Sequence, residues 1–167
     1  SIGSQDWFTA TLRDRYLNIA SYIPRLLKPL KFQKPWKIKN GIIDKKLFPN
    51  DINGVIIPHP SLNIKVENNL FDQYLGNNFG ILIFDNTNNI CNKIKKLESS
   101  KIFRKNIHLL DKDHEFNKDK KIYRWSKENN TTAAIYRPDQ HIYGCVGHEN
   151  VVTDIDKLTN KLINELI

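Results

Sequence analysis

Two thiols, Cys91 and Cys145, are the first candidates for chemistry in this chain of 167 residues. A thiol attacks as its thiolate, and it exchanges disulfides only when a second thiol lies close by. Cys91 stands near the start of a helical pattern that follows an apolar run, where a helix N-terminus favours the anion. The stretch DNTNNICNKI, however, holds no second cysteine three residues away, and Cys145 belongs to a distant run. The expectation is a buried or half-buried structural thiol. Two cysteines supply neither a disulfide framework nor a four-ligand zinc site by themselves.

His108, Asp111, Asp113, His114 and Glu115 form a second group, all with metal-type side chains. Their spacing puts His108 on a strand and the others on the loop that follows, without a helical i,i+4 histidine pair or cysteine companions. They read as a solvated loop, with metal binding a minor alternative. No G-x-S-x-G elbow starts a serine triad. Gly76-Asn77-Asn78-Phe79-Gly80 precedes a strand and opens no helix, so it is not a phosphate loop. The most distinctive string, RPDQHIYG, has a structural explanation: Pro138 suits the second position of a tight turn, Asp139 bonds nearby backbone N–H groups, and Arg137 pairs with a carboxylate. Arg137, Pro138, Asp139, Tyr143 and Gly144 are therefore taken as a structural motif. No catalytic, cofactor-binding or metal residue is assigned.

The elements that must position these residues follow from periodicity. Gly80 to Asp85 (GILIFD) is a continuous apolar run, as in a strand buried on both faces. Thr87 to Leu97 carries Ile90, Ile94 and Leu97 at helical spacing, and Asn106 to Asp111 is a second buried strand. Lys118 to Glu128 reads as a short helix with Ile122 and Trp125 on one side. Thr132 to Tyr136 and His141 to Cys145 are strands around the RPDQ turn. Thr153, with Asp156 three residues on, is expected to cap a last helix striped by Ile155, Leu158, Leu162 and Leu166. The order β-α-β-α-β-β-α over 80–166 is an α/β, thioredoxin-like arrangement, a small mixed sheet with helices on both faces. The proline that usually precedes the third strand of that fold is replaced here by ENNTTAAIY.

Ahead of it, Ser4 and Asp6 begin an amphipathic helix with Trp7, Phe8, Leu12, Tyr16, Ile19 and Ile23 on one face, ending near Pro24. From Lys28 to Lys46 seven lysines stand against one aspartate, with Pro29 and Pro35 breaking any period. That stretch reads as an extended, solvated basic connector. The expected division is 1–53, a helix and connector, and 54–167, the thioredoxin-like domain.

The formal charge is +8, but the cations comprise 20 Lys and six Arg, beside 20 Asn and 22 Ile. An AT-rich coding bias produces that mixture, whereas nucleic-acid readers lean on Arg for bidentate contacts. Nucleic-acid binding is kept as the lesser alternative. No apolar run reaches the roughly 18 residues of a membrane span, and SIGSQDWF lacks the features of a signal peptide, so a soluble, cytoplasmic protein is expected. The chain has no Met, even at its first position, which points to processing or to a piece of a longer polypeptide.

Three strings then resemble a known family: Gly54-x-x-Ile57-Pro58-x-Pro60, Leu70-Phe71-Asp72-x-x-Leu75-Gly76-x-x-Phe79-Gly80-Ile81-Leu82, and Ala134-Ile135-Tyr136-Arg137-Pro138-Asp139-x-x-Ile142-Tyr143-Gly144. Together they resemble the C-terminal region of FAD-dependent aromatic hydroxylases of the 3-(3-hydroxyphenyl)propionate hydroxylase and phenol 2-monooxygenase types. Lys31-Phe32-x-x-Pro35 is similar to that family's connection out of its catalytic portion, so the resemblance covers about residues 20–167. It implies a thioredoxin-like C-terminal domain without redox cysteines, which supports the fold and the subunit contacts of a parent using FAD and NAD(P)H. The implied partners are the preceding FAD and substrate domains and, as a homodimer, a second copy. The G-x-G-x-x-G fingerprint and the later Asp-Gly and Gly-Asp flavin signatures have no counterpart here, so no flavin residue carries over. A stand-alone thioredoxin-like binding module without redox activity is the alternative expectation.

Overall fold

A computed structural model describes Thr11, Arg15 and residues 36–60 and 70–167. The chain divides into two compact units, Ser1–Pro35 and Trp36–Ile167. In the first, Thr11 and Arg15 are helical, and the rest of the expected Trp7 to Ile23 helix lies outside the described residues. The second unit holds everything that follows.

Four consecutive apolar or small residues, GILI, make β1 (Gly80–Ile83), and all four are buried. A strand buried on both faces must send alternate side chains into two cores, and β1 does so. Ile81 and Ile83 enter one apolar cluster, Leu82 and the following Phe84 the other. Among the described residues, β1 joins β2 (Ile107–Leu109), β3 (Ala133–Tyr136) and β4 (Ile142–Val146) in one sheet of order β2-β1-β3-β4. β1 and β2 are parallel, while β3 runs antiparallel to both β1 and β4. With the helices this is the thioredoxin-like order expected from periodicity.

The first core lies under α2 (Ile90–Lys95) and α4 (Val151–Leu166), which contribute Ile90, Ile94, Val151, Ile155, Leu158 and Leu162. The second lies under α1 (Phe71–Leu75) and α3 (Lys121–Glu128), with Phe71, Leu75 and Ile122. Short 3-10 turns at Thr87–Asn89, Ser99–Asn106 and Glu115–Asn117 complete the connections. No described helix is long and apolar enough to cross a membrane.

α4 departs from the expected start. It begins at Val151, behind Asn150 in the left-handed region (φ 52°), and no side chain caps it. Starting two residues before Thr153 carries Val151 into the core, where it is 5% exposed. That burial competes with a capping box worth about 1 kcal/mol. Asp156, the expected capping partner, instead accepts a hydrogen bond from the Ser99 hydroxyl.

The segment 36–57 behaves as a strap along the outer edge of β4. Gly54 N–H donates to Ile142 O (2.7 Å), Ile142 N–H to Val55 O (2.9 Å) and Ile57 N–H to Gln140 O (2.9 Å). Ile52, Val55 and Ile57 fill the second core. An edge strand left bare would offer unpaired backbone groups to other chains, and the strap closes this one.

Candidate functional site

The most heavily engaged polar group is Asp44, the lone acid of the lysine-rich stretch. Its side chain is fully buried. One carboxylate oxygen accepts from the Lys46 and Leu47 N–H groups (3.2 and 2.9 Å), and the other from Phe48 N–H (2.7 Å). Lys161 of α4 adds a close ion pair. Burial pushes the carboxyl pKa up, yet Lys161 and the three N–H donors outweigh it and hold the value below the ordinary 3.8. Asp44 N–H also donates to Tyr143 O (2.8 Å), so one residue fastens the strap to β4 and α4 together. Asn53 supports it: its amide donates to Asp44 O and Phe48 O, and its oxygen accepts the Cys145 thiol at 3.4 Å.

Of the residues read as a structural motif, Tyr143 and Gly144 lie against Asp44, and Arg137 reaches the strap at Ile42. Arg137 N–H bonds His141 O, and Gln140 N–H bonds Arg137 O (both 2.9 Å), closing the turn that contains Pro138 and Asp139. The Arg137 guanidinium makes a bidentate pair with Asp139 (3.1 and 2.8 Å) and donates from Nη1 to Ile42 O on the strap (3.1 Å). Tyr143 is the extra residue of a β-bulge: Ile135 faces Gly144 while Tyr136 faces Ile142. Its hydroxyl donates to Glu165 (3.0 Å), and burial together with that carboxylate pushes its pKa up. Gly144 lies where a Cβ would stand 3.0 Å from Leu158 and 3.1 Å from Asp44 Cβ, so a side chain there would wedge α4 and the strap away from the sheet.

At the other end of β3, the Tyr136 ring folds over Gly80, where a Cβ would lie 2.5 Å from ring carbons. The Tyr136 hydroxyl donates to Leu75 O at 2.6 Å, tying α1 to the sheet.

Each cysteine is a packed thiol. Cys91 is the second residue of α2 and 7% exposed, with its N–H donated to Asn86 Oδ1. The loop before it carries a fixed anion: Asp85, bonded by Thr87 and paired with Lys127 at 3.0 Å, has its pKa pulled to about 2. Burial raises the Cys145 thiol to about 11, so it stays protonated at neutral pH.

The His108 to Glu115 group is aromatic in its packing. His108 lies 4.5 Å from the Tyr74 ring, and His114 bonds Tyr74 Oη through Nε2 (3.3 Å) while Nδ1 accepts Phe116 N–H. His108 Nε2 is buried without a hydrogen-bond partner. Burial, then the nearby His114 and Lys95, depress His108 to about 4, and burial lowers His114. Both rings are neutral at pH 7. Among the described residues no three His, Cys, Asp or Glu side chains converge on a metal position.

Sequence reasoning missed Asp44, Asn53 and Lys161. The available signal was local: an Asp followed by Lys-Lys-Leu-Phe can accept N–H groups two to four residues on, as in an Asx turn. Lys161, far along the chain, left no such trace.

No protein-family model matches the chain, and no curated protein matches it. Among solved structures it is similar to K252c-soaked RebC, with 15% identity and a TM-score of 0.44 over 86% of this chain and 27% of that one. It is similar also to the substrate-free form of the rebeccamycin biosynthetic enzyme RebC (15% identity, TM-score 0.44, 85% and 26% covered). RebC with reduced flavin gives 14% identity and a TM-score of 0.41 over 86% and 27%. The chain spans about a quarter of the length of these structures. At these TM-scores the likeness assigns neither family nor function.

Proposed function

We propose that this chain is a non-catalytic accessory domain of an FAD- and NAD(P)H-dependent aromatic-ring monooxygenase, which stabilises the parent's fold and subunit contacts while the flavin works in preceding domains. The observation that carries the proposal is the meeting of the three strings that resemble the hydroxylases. Gly54 bonds Ile142, Leu75 O receives Tyr136 Oη, Gly80 makes room for the Tyr136 ring, and Gly144 makes room for Leu158. Residues far apart in sequence thus form one set of joints, and their polar groups are spent on one another.

In this proposal the FAD and substrate domains are the partners, a second copy is the dimer mate, and the parent hydroxylates a phenolic or related aromatic substrate. The flavin supplies the oxygen chemistry, and this chain supplies scaffold. The test is direct: the purified 167-residue protein is examined for flavin absorbance after incubation with FAD, and for NADH consumption with phenols. Absence of both is expected. A stoichiometric flavin spectrum, or phenol-dependent NADH oxidation, overturns the proposal.

A further inference from the structure

We propose that Asn40 is a site of spontaneous deamidation, with the strap's own backbone as the nucleophile. The sequence contains two Asn-Gly pairs, Asn40-Gly41 and Asn53-Gly54. Glycine leaves the approach to its backbone nitrogen open, and asparagine is among the chemically labile residues. The structure treats the two pairs oppositely.

Asn53 is 4% exposed, and its amide nitrogen donates to Asp44 O (2.9 Å) and Phe48 O (2.8 Å). The nucleophile it would need, Gly54 N, is committed to Ile142 O at 2.7 Å. Asn40 and Gly41 are both exposed, and Gly41 has φ 104°. Among the described residues no hydrogen bond holds the Asn40 side chain or the Gly41 N–H. Lys39 precedes the pair, and Arg137 Nη1 lies 3.7 Å from the place of a Gly41 Cβ.

The deprotonated Gly41 nitrogen attacks Asn40 Cγ, ammonia leaves, and a five-membered imide closes. Water then opens either carbonyl. One opening yields aspartate; the other yields isoaspartate, which adds a methylene to the main chain two residues before Ile42. The net change is amide plus water to acid plus ammonia, with no oxidant or other reagent. Ile42 O is the acceptor that Arg137 uses to hold the strap, so isoaspartate forms beside a joint of the fold.

The experiment ages the full chain in warm, mildly alkaline buffer, with and without urea. Peptide mapping by mass spectrometry and isoaspartate-specific methylation then follow each pair. In the native protein Asn40 converts about tenfold or more faster than Asn53, whose reaction needs local opening. In urea both pairs convert at similar rates. Native Asn40→Gln protein loses the fast isoaspartate signal and keeps only the slow one from Asn53, which rises in urea. Comparable native rates at the two pairs, a protected native Asn40, or native isoaspartate in Asn40→Gln forming as fast as in the parent would each overturn the proposal.

Discussion

Replacing Asp44 should unfasten the strap. Its carboxylate holds three backbone N–H groups and Lys161 in a fully buried position. Asp44→Ala leaves those donors without their acceptor, and breaking a buried ion pair from one side costs about 3–5 kcal/mol. Lys161 is 25% exposed and regains water, which favours the lower end of that range. Asp44→Asn keeps the shape but turns an NH2 toward either Phe48 N–H or the Lys46 and Leu47 N–H groups, so about 2–3 kcal/mol is expected. At roughly 2–4 °C per kcal/mol for a chain of this size, Asp44→Ala should melt about 10 °C lower. Thermal unfolding by circular dichroism gives that number. Amide exchange should also show Gly54 and Ile142, bonded across the strap, opening before the β1 amides. The native carboxyl sits below 3.8. The stability it gives is therefore whole above that value and lost as pH falls through the lowered native one. If Asp44→Asn stays within about 0.5 kcal/mol of the parent, the range of a surface substitution, the strap is not anchored as described.

Gly80→Ala collides with the Tyr136 ring, whose nearest carbons lie 2.5 Å from the new Cβ, and should cost about 1–3 kcal/mol, read as a lower urea midpoint; an unchanged midpoint would show that the ring moves freely. His108 is depressed to about 4 in the fold against 6.5 unfolded. The unfolded chain thus takes the proton first, and stability falls by ~1–2 kcal/mol as pH drops from 7 toward 4.5. His108→Leu should flatten that limb, and a parent stability constant across the window would refute it. Native Cys91 and Cys145 should react with iodoacetamide far more slowly than in urea; rapid native labelling of Cys91 would revive a thiol mechanism.

The sheet was legible because its signals are local. Four apolar residues in a row marked β1, Pro138-Asp139 marked the hairpin, and the Ile155, Leu158, Leu162 spacing marked α4. Two elements started elsewhere: α3 at Lys121 behind Lys120 in the left-handed region, and α4 at Val151. In the case of α4, burial of Val151 outweighed a favourable cap. The strap was illegible for a different reason. Ile43, Ile52, Val55 and Ile57 are buried without any period, among exposed Lys37, Lys39, Lys45 and Lys46. What orders them is bonding to β4 roughly ninety residues away, which leaves no pattern in a window of sequence. The histidines show the same limit: metal-type residues were visible, but the packing of both rings against Tyr74 was not.

As proposed, this domain serves a flavin hydroxylase whose catalytic domains precede it. Reading the coding sequence upstream of Ser1 tests it most directly. An in-frame strand, G-x-G-x-x-G turn and helix, followed by Asp-Gly and Gly-Asp signatures, is expected there. A start codon immediately before Ser1, or an upstream region without that fingerprint, would contradict it.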